Sequence, residues 1–120
     1  LGIAGDGGFL MNLQEMETAR RLNSNLVMMV WEDKAFGLIS WKQEDSYGRH
    51  TELSFGNPDW LELASAFRWQ GAHVKNSDEL RERLESALET SGPSLLVLPI
   101  DYRENQVLTK KLNDLQECQR

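Results

Sequence analysis

The sequence is poor in the features that mark secreted, membrane-spanning and nucleic-acid-binding proteins. Cys118 is the only cysteine, which excludes an internal disulfide and a cysteine-rich zinc site and favours a reducing, cytoplasmic setting. The longest strongly apolar run covers residues 26–31 and is too short to cross a membrane. Basic residues are also in deficit, since 13 Lys and Arg against 19 Asp and Glu give a net charge of −6. That balance argues against nucleic acid as a partner.

The remaining composition fits one globular domain. With 120 residues, 40% of them hydrophobic and 27% charged, the chain can bury one core. Its two histidines, His50 and His73, lack the spacing of a zinc site. Because residues 1–4 already read as an apolar strand, we expect the chain to be a piece of a longer protein.

Apolar runs alternate with helical spacing along the chain. Buried strands are predicted at residues 1–5, 26–31 and 94–100, and a short strand at 71–74. Helices are predicted from Phe9 to Leu22, over 35–43, after an Asn57-Pro58-Asp59 start, from Asn76 to Leu88 and from Asn105 onward. In this interpretation Asn57 caps a helix, Trp41 is a core aromatic and residues 44–56 form a loop. Strands that alternate with crossover helices pair in parallel, so we predict an α/β fold with an open parallel sheet and helices on both faces.

Acidic residues follow two of the predicted strands. Gly5-Asp6-Gly7-Gly8 closes the first strand and leads at once into a helix, whose amino terminus favours phosphate. Glu32-Asp33 closes the second strand. The carboxyl ends of neighbouring parallel strands meet at one edge of a sheet, where ligands bind. If these strands are neighbours, Asp6 and Asp33 can hold one magnesium ion, with a diphosphate and a backbone carbonyl completing its shell.

Each half of this pattern has a plainer interpretation. A Gly-Asp-Gly sequence is more often only a turn, and an acidic pair after a strand is usually a solvated strand end. The two halves together, with 24 residues between Gly7 and Glu32, favour a cofactor site. A small flavodoxin-like module that binds a phosphate-containing ligand or a partner protein without catalysis is the alternative.

With this spacing the chain resembles the diphosphate-binding domain of thiamine diphosphate-dependent enzymes. Their motif joins Gly-Asp-Gly to a later pair that is commonly two asparagines, and here Glu32-Asp33 stands in that place. An aspartate in the second position after a tryptophan, here Trp31, is similar to the catabolic acetolactate synthases. The likeness to that branch covers nearly the whole chain, including residues 55–59, 65–67, 92–93 and 99–105.

The resemblance implies that residues 1–120 are part of a thiamine diphosphate-binding domain, and that the pyrimidine-binding and central domains are absent from this chain. It implies magnesium ligands at Asp6, Asp33 and the backbone carbonyl of Ala35. It also implies cofactor contacts, the last of them an apolar wall, at Gly5, Gly7, Gly8, Phe9 and Leu38.

The implied activity joins two pyruvates, with loss of CO2, to give 2-acetolactate in a homo-oligomeric enzyme, a dimer or tetramer. In the family a glutamate of the pyrimidine-binding domain activates the cofactor. No catalytic residue is therefore expected in this chain, and the chain alone is expected to be inactive. Other thiamine diphosphate-dependent 2-keto acid decarboxylases, oxidases and carboligases are the alternatives on the same scaffold.

Overall fold

The computed structural model describes residues 1–102, 105 and 107. In that part of the chain the strands are β1 Gly2–Gly5, β2 Val27–Glu32, β3 Gln70–His73 and β4 Ser94–Pro99. The helices are α1 Asp6–Leu10, α2 Glu15–Arg21, α3 Gly37–Tyr47, α4 Trp60–Ala66 and α5 Ser77–Glu89. None of these helices has the length and apolar character needed to cross a membrane. The tail helix predicted from Asn105 onward lies, apart from residues 105 and 107, outside the described residues.

The strands form one sheet in the order β1-β2-β4-β3, and every neighbouring pair is parallel. β1 pairs with β2 from Gly2 opposite Met28 to Gly5 opposite Trp31. Helices connect the parallel strands, as a parallel pairing requires. The carboxyl ends of β1 and β2 therefore lie side by side, which is the condition on which Asp6 and Asp33 were expected to share a site.

Apolar side chains cover both faces of the sheet, because successive residues of β2 and β4 point to opposite faces. One face packs under α1, α2 and α4, and its buried residues are Phe9, Met16, Val30, Trp60, Ala64, Trp69, Leu95 and Val97. The other face packs under α5, and its buried residues are Val27, Met29, Val74, Ala87, Leu96 and Leu98. The predicted fold class, an open parallel sheet with helices on both faces, is confirmed.

The first strand and the helix after it differ from their predictions. β1 is an outer strand of the sheet, with a neighbouring strand on one side only. Ile3 is 55% exposed, so the prediction of a buried first strand is wrong. The following helix begins at Asp6 rather than Phe9, with Gly5 as its N-cap. A turn at residues 11–14 divides it into α1 and α2.

α3 is longer than predicted and lies outside the core. It continues to Tyr47 through residues that we interpreted as loop, and Gly48 ends it in the left-handed conformation at φ 64°. None of its residues is buried. Trp41 is therefore half-exposed, and its prediction as a core aromatic is wrong.

α4 and α5 both begin at side-chain caps. Asp59 caps α4 by accepting the backbone N–H of Leu61 at 2.9 Å and of Glu62 at 3.0 Å. Asn76 caps α5, as predicted, by accepting the N–H of Glu79 at 2.9 Å. The cap of α4 is thus displaced by two residues from the predicted Asn57, whose side chain binds elsewhere.

Candidate functional site

Asp6 lies at the junction of β1 and α1, at the carboxyl edge of the sheet. It is 1% exposed, and backbone donors hold both of its carboxylate oxygens. Oδ1 accepts the N–H of Gly7 at 2.8 Å, and Oδ2 accepts the N–H of Lys34 at 2.8 Å. Lys34 follows β2 in the left-handed conformation at φ 57°. The Asp6 carboxylate is therefore fixed at the ends of β1 and β2, two strands that pair with each other.

Asp33 lies beside Asp6, at the end of β2. Its Oδ1 accepts the N–H of Ala35 at 3.3 Å. The pKa of Asp33 is raised above its ordinary value, mainly because the carboxyl group is partly buried. The hydrogen bond from the N–H of Ala35 acts in the opposite direction, and the nearby charge of Asp6 adds to the increase. The neighbouring carboxylates thus repel each other, and a cation between them would remove that repulsion.

The backbone at Ala35 is oriented by a short antiparallel bridge to Ser54. The N–H of Phe36 donates to the carbonyl of Leu53 at 3.0 Å, and the N–H of Phe55 donates to the carbonyl of Lys34 at 2.9 Å. These bonds do not use the N–H or the carbonyl of Ala35, and its N–H is directed to Asp33 instead. The carbonyl of Ala35 is thereby left for another partner.

At two glycines of the site an added β-carbon would force a neighbouring side chain to move, and a third glycine faces open space. A β-carbon on Gly7 would lie 2.8 Å from Cε1 of Phe36, whose ring packs on Phe55 with centroids 4.9 Å apart. A β-carbon on Gly37 would collide with Oδ2 of Asp33. No atom lies within 4 Å of a β-carbon built on Gly8, so the backbone there is accessible to a ligand.

An open cavity of about 950 Å³ joins these groups at the edge of the sheet. It is lined by the carboxylates, the glycine turn, the start of α3 and the segment after β4. Among the described lining residues there is no lysine or arginine. The predicted site residues that line it are Gly5, Asp6, Gly7, Gly8, Asp33, Ala35 and Leu38.

Phe9 is the predicted site residue whose side chain is not among those lining the cavity. It is 9% exposed, and its ring centroid lies 6.0 Å from that of Trp60 in the core. Phe9 belongs to α1, but it is not among the described residues that line the cavity. Leu38, on α3, has the opposite character, since it is 61% exposed and faces the cavity.

The sequence interpretation missed Asn57. Its Nδ2 donates to Oδ2 of Asp6 at 2.7 Å and to Oε1 of Glu32 at 2.9 Å. The indole N–H of Trp60 donates to the same oxygen of Glu32 at 2.8 Å. An asparagine just before proline at a helix start had a sufficient local explanation as a cap, so no signal in the sequence pointed to contacts with distant carboxylates.

The oxygen donors of the site suit a hard divalent cation that is also coordinated by the phosphate oxygens of a bound molecule. Within residues 1–102, 105 and 107, no group of three or more His, Cys, Asp and Glu side chains could hold a metal. Asp6 and Asp33 with one carbonyl could supply part of the oxygen shell of Mg²⁺, which typically completes its coordination with phosphate oxygens and water. The described lining contains no lysine or arginine, and its histidine is His50, so a bound diphosphate would need a cation to neutralise it.

Comparisons with known proteins point to one family. The family model described as thiamine pyrophosphate enzyme, C-terminal thiamine pyrophosphate-binding domain, matches residues 1–98. A protein from Raoultella terrigena named acetolactate synthase, catabolic, is 33% identical over 113 residues, which are 94% of this chain and 20% of that protein. The acetolactate synthase of Bacillus subtilis is 34% identical over 88% of this chain and 18% of its own length.

A third relative is the acetolactate synthase isozyme 2 large subunit of Escherichia coli. It is 37% identical over 105 residues, which are 86% of this chain and 19% of that subunit. The chain thus spans about a fifth of the length of the curated relatives that it matches.

Proposed function

This chain belongs to the thiamine pyrophosphate enzyme family, through the C-terminal domain that binds thiamine pyrophosphate (thiamine diphosphate), and we propose that it holds the diphosphate of this cofactor through Mg²⁺. The observation that carries the proposal is the pairing of Asp6 with Asp33. Two carboxylates from neighbouring strand ends meet at a cavity whose described lining contains no lysine or arginine. Such a site favours a cation first and a diphosphate through that cation.

The proposed metal ligands are the carboxylates of Asp6 and Asp33 and the carbonyl of Ala35. Asp6 is buried and held by two backbone N–H groups, so its orientation is set before a metal arrives. Asp33 is held by the N–H of Ala35, and the bridge to Ser54 leaves the Ala35 carbonyl unused. Together they present three oxygens of the type that Mg²⁺ prefers.

The proposed diphosphate contacts are backbone groups of the glycine turn and the start of α1. Gly5 is the N-cap of α1, and Gly7, Gly8 and Phe9 follow within that helix. The open space above Gly8 allows a close approach to the backbone. Leu38, on α3, lines the same cavity and would supply an apolar wall that reduces the access of water.

When bound, thiamine diphosphate supplies the carbanion chemistry by which a 2-keto acid loses CO2 and passes its acyl carbon to an acceptor. We propose that the substrate is pyruvate, that a second pyruvate is the acceptor and that the product is 2-acetolactate. The names of the relatives support this reaction. We further propose that the working enzyme is a homo-oligomer and that these 120 residues alone do not turn over.

The test uses the longest natural reading frame that contains this segment, supplied with pyruvate, thiamine diphosphate and Mg²⁺. We expect acetolactate as the product, and we expect Asp6→Ala to abolish its formation. Asn76→Ala, which removes a helix cap far from the cavity, is the control and keeps the activity. Acetaldehyde or acetyl phosphate would instead assign another reaction to the same cofactor site. Full activity in Asp6→Ala would contradict the metal site.

A further inference from the structure

Asn57 connects two carboxylates at the edge of the sheet. Its Nδ2 lies 2.7 Å from Oδ2 of Asp6 and 2.9 Å from Oε1 of Glu32. An ionised carboxylate only accepts hydrogen bonds, whereas the amide nitrogen carries two protons. The amide nitrogen must therefore face both partners, with one proton for each. Asn57 thus bridges the two carboxylates and offsets part of the repulsion between them.

The connection continues into the core through Trp60. Trp60 is the first residue of α4; its side chain is 2% exposed and packs in the core between that helix and the sheet. Its indole N–H donates to Oε1 of Glu32 at 2.8 Å, the same atom that accepts from Asn57. The position of Glu32 is therefore fixed by a rigid core residue, and Glu32 in turn fixes the amide of Asn57.

The hydrogen bonds on Asp6 are unequal between its two oxygens. Oδ2 accepts from the N–H of Lys34 at 2.8 Å and from Asn57 at 2.7 Å, which uses both of its lone pairs. Oδ1 accepts from the N–H of Gly7, which leaves one lone pair on that oxygen. Without Asn57, Oδ2 would have a free lone pair although Lys34 still donates to it, and a metal could bind either oxygen of Asp6.

We propose that Asn57, held by Glu32 and Trp60, is a positioning residue for Asp6: it occupies Oδ2 and thereby presents Oδ1 to the metal. This inference rests on the proposed function, in which Asp6 is a metal ligand. Asn57 does not itself touch the metal in this arrangement; it acts by orienting the ligand. Partners that orient a metal ligand typically change metal affinity by about 10- to 100-fold when they are removed.

Metal affinity is the first measurement. Equilibrium dialysis of Mn²⁺ against the full natural reading frame, at a fixed concentration of thiamine diphosphate, gives the affinity after correction for Mn²⁺ held by the cofactor in the protein-free chamber. We expect Asn57→Ala to weaken Mn²⁺ binding by at least about tenfold. Asn76→Ala is the matched control, since it removes an asparagine that caps α5, and it should leave the affinity unchanged.

Asp6→Ala separates the two proposals. If it leaves Mn²⁺ binding intact, the metal site itself is misassigned and the proposed function fails. If Asp6→Ala abolishes binding while Asn57→Ala binds as tightly as the unchanged protein, the metal site stands and the positioning role is overturned.

A spectroscopic measurement tests the connection without relying on a folded Asn57→Ala protein. The indole ¹⁵N–¹H resonance of Trp60, assigned by its loss in Trp60→Phe, should shift when Mg²⁺ and thiamine diphosphate are added, because Asp6, Asn57 and Glu32 are joined by hydrogen bonds. An unmoved resonance under conditions of full metal binding overturns the inference. Where Asn57→Ala folds, we expect the shift to disappear in it and to persist in Asn76→Ala.

Discussion

Gly37 is tied to Asp33, because a β-carbon at position 37 would collide with the Oδ2 atom of that aspartate. The carboxylate lies against the first residue of α3, in a space that only a glycine leaves. The position of Asp33 is therefore determined by the helix that follows it as well as by the strand that precedes it.

Gly37→Ala should displace the Asp33 carboxylate. The added methyl group cannot be accommodated without movement of Asp33 or of the start of α3. We expect Mn²⁺ affinity to fall by about tenfold or more, measured by equilibrium dialysis with thiamine diphosphate present. Gly56→Ala is the control, since a β-carbon there meets no atom within 4 Å. Equal affinities of the two variants would refute the steric role of Gly37.

Gly7→Ala and Gly8→Ala should differ in stability although they are neighbours. The methyl group at position 7 would lie 2.8 Å from Phe36 and 3.2 Å from Phe55, and such overpacking costs about 1–3 kcal/mol. At position 8 the space is open, so the expected change is within about 0.5 kcal/mol. Urea unfolding followed by tryptophan fluorescence measures both. A Gly7→Ala protein as stable as Gly8→Ala would show that Phe36 and Phe55 move aside.

Asp33→Asn and Asp33→Ala test the second proposed metal ligand. An amide keeps one oxygen for the metal, whereas alanine has none. In the full natural reading frame we therefore expect Asp33→Asn to retain part of the proposed acetolactate-forming activity and Asp33→Ala to lose most of it. The rates should be compared at saturating Mg²⁺ and again at low Mg²⁺, where the difference widens. An Asp33→Ala enzyme with unchanged activity would remove Asp33 from the site.

Glu79 should make stability depend on pH at the start of α5. Its Oε2 accepts the N–H of Lys75 at 3.0 Å, and this bond is the main cause of a pKa below the ordinary value of 4.5. A lowered pKa stabilises the folded state above the unfolded pKa, and the contribution is lost as the pH falls through the folded pKa. The unfolding midpoint of Glu79→Gln should therefore lie below that of the unchanged protein at neutral pH and approach it in acid. Glu82→Gln controls for the loss of a charge on the same helix.

Much of the fold followed from the sequence, because continuous apolar runs identify β2 and β4. The sequence brought Asp6 and Asp33 together only on the condition that the first two strands are neighbours, and the pairing of β1 with β2 meets that condition. The exposure of Ile3 did not follow, since the order of strands in a sheet depends on packing between distant segments.

The contacts of Asn57 were also beyond the sequence. They join residues 51 and 25 positions apart, and the local pattern around Asn57 already had an adequate interpretation as a helix cap. α3 was underestimated for a related reason: no regular apolar face marks it, because none of its residues is buried. Periodicity detects helices that pack on a core, and this helix does not.

The lack of buried residues in α3 has a consequence for how the two sides of the cavity resist local opening. Segments with few buried contacts exchange their amide hydrogens through small openings, whereas core strands exchange only through larger ones. Amides of residues 37–47 should therefore exchange rapidly in the unliganded protein, and those of the central strand β2 slowly. The proposed metal ligands at the strand ends would form the side of the cavity that opens rarely, and Leu38 on α3 would form the side that opens readily. Cofactor binding should accordingly be recorded in hydrogen exchange as new protection of α3, with little change in β2.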